Sequence, residues 1–325
     1  MSYAATFYIL AFLGAFAATF LSLPLWRKYC QRTGLVDDPG HRKIHSDPIP
    51  LAGGPAVMTG LFVPIMAALF LLQFFPGLFE SAAAQLNHGF EKRKLELAAI
   101  LLGAVGMLIV GLLDDKNELK AAPKFAGQCL IALLVAASGA RITLFVPGAI
   151  FSYAITVFWI LTVINAFNFM DNMNGLCGGL GAIGALGFAL LAALAGQYLV
   201  ALIAFLTCGA LVGFLQYNFP RARVFLGDSG SHLVGYLLAV LAILPHFHTA
   251  KNPQPLAVLS PLVLLAVPLG DMVWVVLLRW KLGKPFYIGD NNHLSHRLVR
   301  RGFTRTQAVV LIWLLAVLLG ALAFV

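Results

Sequence analysis

The sequence predicts an all-α, polytopic integral membrane helix bundle of about ten spans with both termini extracytoplasmic, and three observations predict it. The 325-residue chain is 60% hydrophobic and only 11% charged, its mean hydropathy is +0.89, and apolar stretches long enough to cross ~30 Å of hydrocarbon recur along its whole length. Backbone polar groups inside a bilayer must be satisfied within the segment, which makes such stretches helices. The basic residues supply the orientation. All but five of the 22 lysines and arginines (Lys92, Arg93, Lys94, Arg141 and Lys251) fall in loops that follow odd-numbered spans. The positive-inside rule makes those loops cytoplasmic. The net charge of +9 is therefore a membrane-topology signal and not a nucleic-acid footprint.

Each span has its own signature. Residues 3–26 are too long for a cleavable leader, lack a basic amino-terminal flank and run into Arg27 and Lys28, so this first helix is retained. Residues 51–75 follow a basic loop. Residues 95–113 end on the adjacent acids Asp114 and Asp115, and 125–139 form a short fourth span. Residues 151–169 carry Asn165 and Asn168 toward their cytoplasmic end. The sixth span, 175–195, is rich in glycine (Gly175, Gly178, Gly179, Gly181, Gly184, Gly187), which lets neighbouring helices approach closely. Residues 197–217 come next, then 231–248 just after Asp228. The ninth span, 255–279, contains Pro268, Gly270 and Asp271, and 307–325 completes the set. The longest loops, 27–50 and 280–306, are too short for an autonomous core. Residues 1–325 thus form one transmembrane domain whose function must be built from helix ends and short loops. Cys30, Cys129, Cys177 and Cys208 have no ligand-like spacing and read as buried reduced thiols, with neither a disulfide framework nor a zinc site.

Five polar islands stand out against this apolar background. Asp114 and Asp115 face each other and the negative pole of their helix, which is unfavourable unless a cation sits beside them. The loop GHRKIHSDPIPLAGG, residues 40–54, offers His41, Arg42, Lys43 and His45 either to a phosphate or to anionic lipid headgroups, with Gly53 and Gly54 allowing close backbone contact. Asn165, Asn168 and Asp171 recur every three residues on one face, as an interhelical ladder or a polar site. In YNFPRARVFLGDSGS, residues 217–231, Asp228 is placed to cap a helix whose free amides at Ser229, Gly230 and Ser231 suit an anion. The last loop, DNNHLSHRLVRRGFT at 290–304, sets His293 and His296 among Arg297, Arg300 and Arg301, with Gly302 placed to end a short helix. Asp271 is the one acid set deeper, facing a cavity or paired with a buried donor.

All five islands converge on the cytoplasmic face, a combination that suits phosphoryl transfer at the membrane surface with Mg2+ as the hard-oxygen cation. The rival class is a secondary transporter coupling ions through Asp171 and Asp271. Transporters place such groups near the midplane, whereas most acids here lie at one face.

The motifs RKIHSDPIPLAGG, GLLDDKNELKAAPK, NAFNFMDNMNGL, NFPRARVFLGDSGS and DNNHLSHRL occur in that order over nearly the whole chain. They resemble the polyprenyl-phosphate N-acetylhexosamine-1-phosphate transferases, glycosyltransferase family 4. The HxxPxPxxGG form of the first loop is similar to the N-acetylglucosamine branch; the muramoyl-pentapeptide branch usually has Thr-Pro-Thr there and three consecutive histidines in the last loop. The resemblance implies transfer of N-acetylhexosamine 1-phosphate from a UDP-sugar to undecaprenyl or another polyprenyl phosphate, with release of UMP. This would be the first lipid-linked step of cell-envelope glycan synthesis, at the cytoplasmic face of the inner or plasma membrane. Mg2+ is the implied cofactor, with Mn2+ as a substitute. The implied partners are the UDP-N-acetylhexosamine, the polyprenyl phosphate and membrane lipids, without nucleic acid; a homodimer is compatible. On this reading Asp115 and Asp228 hold the metal, and Asp114 accepts a proton from the attacking lipid phosphate or orients it. Lys124, His293 and Arg297 neutralise developing charge, Asn168, Asp171, Asn218 and Phe225 hold the nucleotide, and Lys43, His45 and His296 contact substrate. The chain departs from the family pattern at Asn174, where a second acid is frequent, and at Ser295, which interrupts a frequent histidine pair.

Overall fold

A computed structural model describes residues 3–38, 47–75, 80–143, 146, 148–245, 255–285 and 290–325, with the side chains of 3, 80–92 and 255–256 left aside. Among the described residues the architecture is helical apart from one two-residue ladder, in which Val36–Asp37 (β1) pairs antiparallel with Ile49–Pro50 (β2). The long helices are α1 (Tyr3–Thr33), α2 (Gly53–Phe74), α3 (Glu80–Asn117), α4 (Ala121–Ser138), α5 (Ala149–Met170), α6 (Leu176–Leu194) and α7 (Tyr198–Asn218). They are followed by α8 (Gly227–Leu241), α9 (Ser260–Leu264), α10 (Ala266–Lys281), α11 (Leu294–Arg300) and α12 (Arg305–Ala321).

Eight of the described helices are long and apolar enough to cross a membrane, or nine if the bent pair α9–α10 is one span. The remaining expected span corresponds to α8, which has only 15 residues and ends at Leu241, about 22 Å at 1.5 Å per residue. Every residue of α8 from Ser229 to Leu241 is buried. It packs against α3 on one side and α5 on the other, so this helix faces protein and is exempt from the length that lipid would demand. The closest crossing is at Gly111 of α3: a Cβ there would lie 2.3 Å from the Ser229 Cα and 2.5 Å from the Asp228 carbonyl oxygen. Only a residue without a side chain admits that approach.

The α9–α10 bend of 68° falls at Leu265. Proline at 268 has no N–H to give the carbonyl of Leu264, four residues earlier, which is where the helix breaks. On the other side of the bundle α1 packs along α7 and α2, and α6 along α7. Several expected boundaries move by a turn or more: α1 runs on past Arg27 and Lys28 to Thr33, and α3 continues through Asp114 and Asp115 to Asn117. The acidic pair thus lies in the last turn of a helix, at the carboxyl end where its charges were expected.

Candidate active site

Successive residues of an α-helix point ~100° apart, so the two acids at the end of α3 meet different neighbours. Asp115 faces the amino end of α8: its Oδ1 accepts the Asp228 backbone N–H at 2.7 Å and its Oδ2 accepts that of Ser229 at 3.0 Å. First-turn amides lack intrahelical acceptors and carry the positive end of the helix dipole. The anion seated on α8 is thus Asp115 itself. This corrects two expectations. Asp228 is not the cap but lies in the first turn of α8, and the Ser229 amide is already taken by a protein carboxylate. Both oxygens of Asp115 thus serve the amino end of α8, whereas the ligand atoms that cluster within 4.8 Å of one another belong to Asp114, Asp228 and His232.

Asp114 turns the other way and is 7% exposed. Its Oδ1 accepts the Leu119 N–H at 2.9 Å, and its Oδ2 lies 2.6 Å from Lys124 Nζ. The same ammonium is 3.1 Å from Asp228 Oδ1. One lysine from α4 therefore bridges carboxylates from α3 and α8, and it supplies part of the positive charge that the acidic pair requires.

The ladder on α5 divides into separate roles. Asn165 Nδ2 donates to Gln128 Oε1 at 3.1 Å and to the Leu161 carbonyl, a structural link to α4. Asn168 Nδ2 donates to Asp228 Oδ1 and, at 3.0 Å, to Ser231 Oγ. Asp171 is the C-cap of α5 and reaches water in a large cavity. The cavity walls crowd it, and with the charges of Asp228, Asp115 and Asp37 they push its carboxyl up to about 8.

That cavity measures about 1730 Å³ and gathers most of the expected residues: Asp114, Asp115, Asn168, Asp171, Asn218, Phe225, Asp228 and His296 all line it. Lys124 touches two of these acids. Asn218 is at the wall, but its Oδ1 accepts the Gly175 N–H at 2.6 Å and its Nδ2 donates to the Val224 carbonyl at 2.9 Å. It fastens the 218–224 loop, which spends one N–H and one carbonyl lone pair of its amide on the protein. His293 and Arg297 stand back from the wall: His293 Nδ1 pairs with Asp271 Oδ2, and the Arg297 guanidinium covers the Trp274 ring at 4.7 Å. Lys43 and His45 lie outside the described residues. Gly53 and Gly54 do permit a close approach, but to protein: their amides donate to the carbonyls of Phe225 and Leu226.

The last loop is held by its own polar contacts. Ser295 Oγ donates to Asn172 Oδ1 at 2.6 Å, so the serine that departs from the family pattern joins α11 to the turn after α5. Asn174, the other departure, donates to the Pro220 carbonyl at 3.3 Å. Against a burial penalty, the Arg279 hydrogen bond holds the Asp290 carboxyl below the usual range. Burial, then the neighbouring His293 and Arg300, lower His296. As expected, Gly302 terminates α11: the helix ends at Arg300 with Arg301 as C-cap, and Gly302 follows with a φ of +98°.

Sequence reasoning missed His232. It is fully buried, with Nε2 3.8 Å from Asp228 Oδ1 and 3.4 Å from Gln128 Nε2. The signal was available in its spacing, because i,i+4 from Asp228 places it on the same face of α8. Ligand atoms of Asp114, Asp228 and His232 all lie within 4.8 Å of one another. Arg221 and Arg305, read from the sequence only as basic loop residues, also line the cavity.

A family model described as Glycosyl transferase family 4 matches residues 97–246, the stretch from α3 to α8 that carries Asp114, Lys124 and Asp228. The chain is 33% identical to the decaprenyl-phosphate N-acetylglucosaminephosphotransferase of Mycobacterium tuberculosis (strain ATCC 25618 / H37Rv), over 94% of this chain and 79% of the relative. It is 28% identical to a probable undecaprenyl-phosphate N-acetylglucosaminyl 1-phosphate transferase of Bacillus subtilis (strain 168), over 98% of this chain and 84% of the relative. Identity is 29% to the undecaprenyl-phosphate alpha-N-acetylglucosaminyl 1-phosphate transferase of Escherichia coli (strain K12), over 94% and 80% respectively.

Proposed function

The chain belongs to glycosyl transferase family 4, and we propose that it is a multi-pass membrane enzyme that transfers N-acetylglucosamine 1-phosphate from UDP-N-acetylglucosamine to a polyprenyl phosphate. The acceptor and the sugar phosphate follow the names of its relatives. The UDP carrier is part of the proposal, supported by a cavity large enough for a sugar nucleotide beside an acid–lysine–acid bridge, and that bridge is the observation that carries the reading.

The reaction is one displacement. An oxygen of the lipid phosphate bonds to the sugar-bearing phosphorus, the bond from that phosphorus to the bridging oxygen breaks, and the electron pair leaves with UMP. Such a transition state needs alignment and charge neutralisation more than covalent help. Lys124 meets that need from the chain: Asp114 and Asp228 hold its ammonium where phosphate oxygens would enter from the cavity. Asp114 therefore acts through Lys124 on this reading, with its Oδ1 already accepting the Leu119 amide. Asp171, Phe225 and His296 line the same cavity and would contact the donor.

A divalent cation fits the same place. The donor set of Asp228 and Asp114 is carboxylate oxygen, the class Mg2+ prefers, and the nearby acids Asp115 and Asp37 add to the negative field of the region. Asp228 with Asp114, instead of Asp115, would hold Mg2+, or Mn2+ in its place. When bound, the ion would supply charge neutralisation on the pyrophosphate. The excess of basic residues in the loops around the site supports a cytoplasmic location on the plasma or inner membrane.

The test is direct. Purified protein is incubated with Mg2+, undecaprenyl phosphate and a panel of UDP-sugars, and UMP and lipid product are followed. UMP should appear with UDP-N-acetylglucosamine and only when the lipid is present. No UMP with any donor would overturn the proposal.

A further inference from the structure

A polar cluster behind the cavity wall joins α5, α10 and α11. At its centre is Asp271, 6% exposed and the one acid of α10. Its Oδ2 lies 2.6 Å from His293 Nδ1 and its Oδ1 accepts the Leu294 backbone N–H at 2.6 Å. His293 is itself 5% exposed and sets its ring at an edge-on angle to Phe169, 5.6 Å between centroids. Arg279 covers the same Phe169 ring and donates to Asp290 at 2.7 Å. A buried carboxylate is costly unless its lone pairs are used. Here both oxygens are occupied, and both by groups at the start of α11.

The chemistry of the pair fixes the proton. An ionised carboxylate only accepts, so the 2.6 Å contact requires hydrogen on Nδ1. Nε2 is then the nitrogen left for another partner, and among the described residues no protein group is hydrogen-bonded to it. The His293 ring lies 6.4 Å from that of His296, which lines the cavity. The first turn of α11 thus carries one imidazole on the cavity wall and one buried behind it, and a single carboxylate sets the angle of the buried ring and the seating of the helix that carries the other.

We propose that Asp271 is a positioning residue of the transfer site, which keeps the hydrogen of His293 on Nδ1 and, through that ring, seats α11 so that His296 faces the donor from the cavity wall in fixed orientation. This rests on the sugar-nucleotide reading of the cavity. Orienting partners of catalytic and ligand histidines act in this way in other sites, and their loss typically costs ~10–100-fold.

Two measurements on the full-length protein test it. In the kinetic one, Asp271→Asn lowers kcat by ~10–100-fold, and the double variant Asp271→Asn/His293→Gln is no slower than His293→Gln alone, because Asp271 acts through His293. Losses that multiply in the double variant would mean that Asp271 is merely structural, and would overturn the proposal. In the second, ring-15N histidine spectra of wild type are compared with His293→Gln to assign the signal. Hydrogen on Nδ1 is expected; a His293 protonated on Nε2 alone would overturn the proposal even if Asp271→Asn failed to fold. Should wild type release no UMP with any donor, the functional reading fails while the spectrum still decides the Asp271–His293 pairing.

Discussion

Asp114 and Asp115 are neighbours in the chain with unrelated partners, because one faces the amino end of α8 and the other faces Lys124. Their substitutions should therefore separate. Asp115→Asn keeps one acceptor but loses the charge at the helix dipole, and the loss of a cap of this kind costs about 0.5–2 kcal/mol. A lowered melting temperature in detergent is the expected result. Asp114→Asn removes one anchor of the lysine bridge: lipid product should be abolished while UDP-sugar binding stays measurable, and near-normal turnover would remove Asp114 from the mechanism. That a cation belongs beside the acidic pair is legible in the sequence, since two adjacent carboxylates at a helix carboxyl end repel. That Lys124 could neutralise part of that charge is legible as well, from its nearness in the chain; that it also bridges to Asp228 is not, because that acid is 104 positions away. Asp271 was undecidable for the same reason: its partner His293 lies on a separate short helix, and spacing along the chain carries no trace of the pairing.

At the scale of elements, α8 is the part the site depends on most. It carries Asp228, is capped from α3, bonds to α5 through Asn168 and Ser231, and is enclosed by both helices. Gly111→Ala would force a methyl group to within 2.3–2.5 Å of the α8 backbone, and overpacking of this kind costs about 1–3 kcal/mol. Reduced thermal stability and reduced UMP release are expected together. Gly270→Ala, where nothing lies within 4 Å of the added carbon, serves as the control and should lower neither. Hydropathy located the helices well, because burial in lipid or in protein asks for the same apolar residues. It could not tell the two apart, so α8 read as a full span although its 15 residues are enclosed by protein. Helix ends were displaced for a related reason: polar residues such as Asp114, Asp115 and Lys28 continue a helix beyond its apolar stretch, and hydropathy stops counting where they begin.

Over the whole molecule, acids from α3 and α8, polar groups at the end of α5 and a histidine of α11 converge on one cavity. The motifs predicted that convergence through topology alone, since odd-numbered loops fall on one face. They could not predict which members would be spent on the protein. Asn218, Gly53 and Gly54 carry polar groups suited to a ligand, yet each satisfies a neighbouring backbone. Buried polar atoms must find partners, and backbone partners are invisible in sequence patterns. The central claim is that a sugar phosphate, and not a bare sugar, moves to the lipid. Its most direct test supplies UDP-N-acetylglucosamine carrying 32P only at the sugar-bearing phosphorus, together with Mg2+ and undecaprenyl phosphate. The label should pass entirely into the lipid fraction and leave unlabelled UMP; label retained in a nucleotide product while the sugar moves to lipid would contradict it.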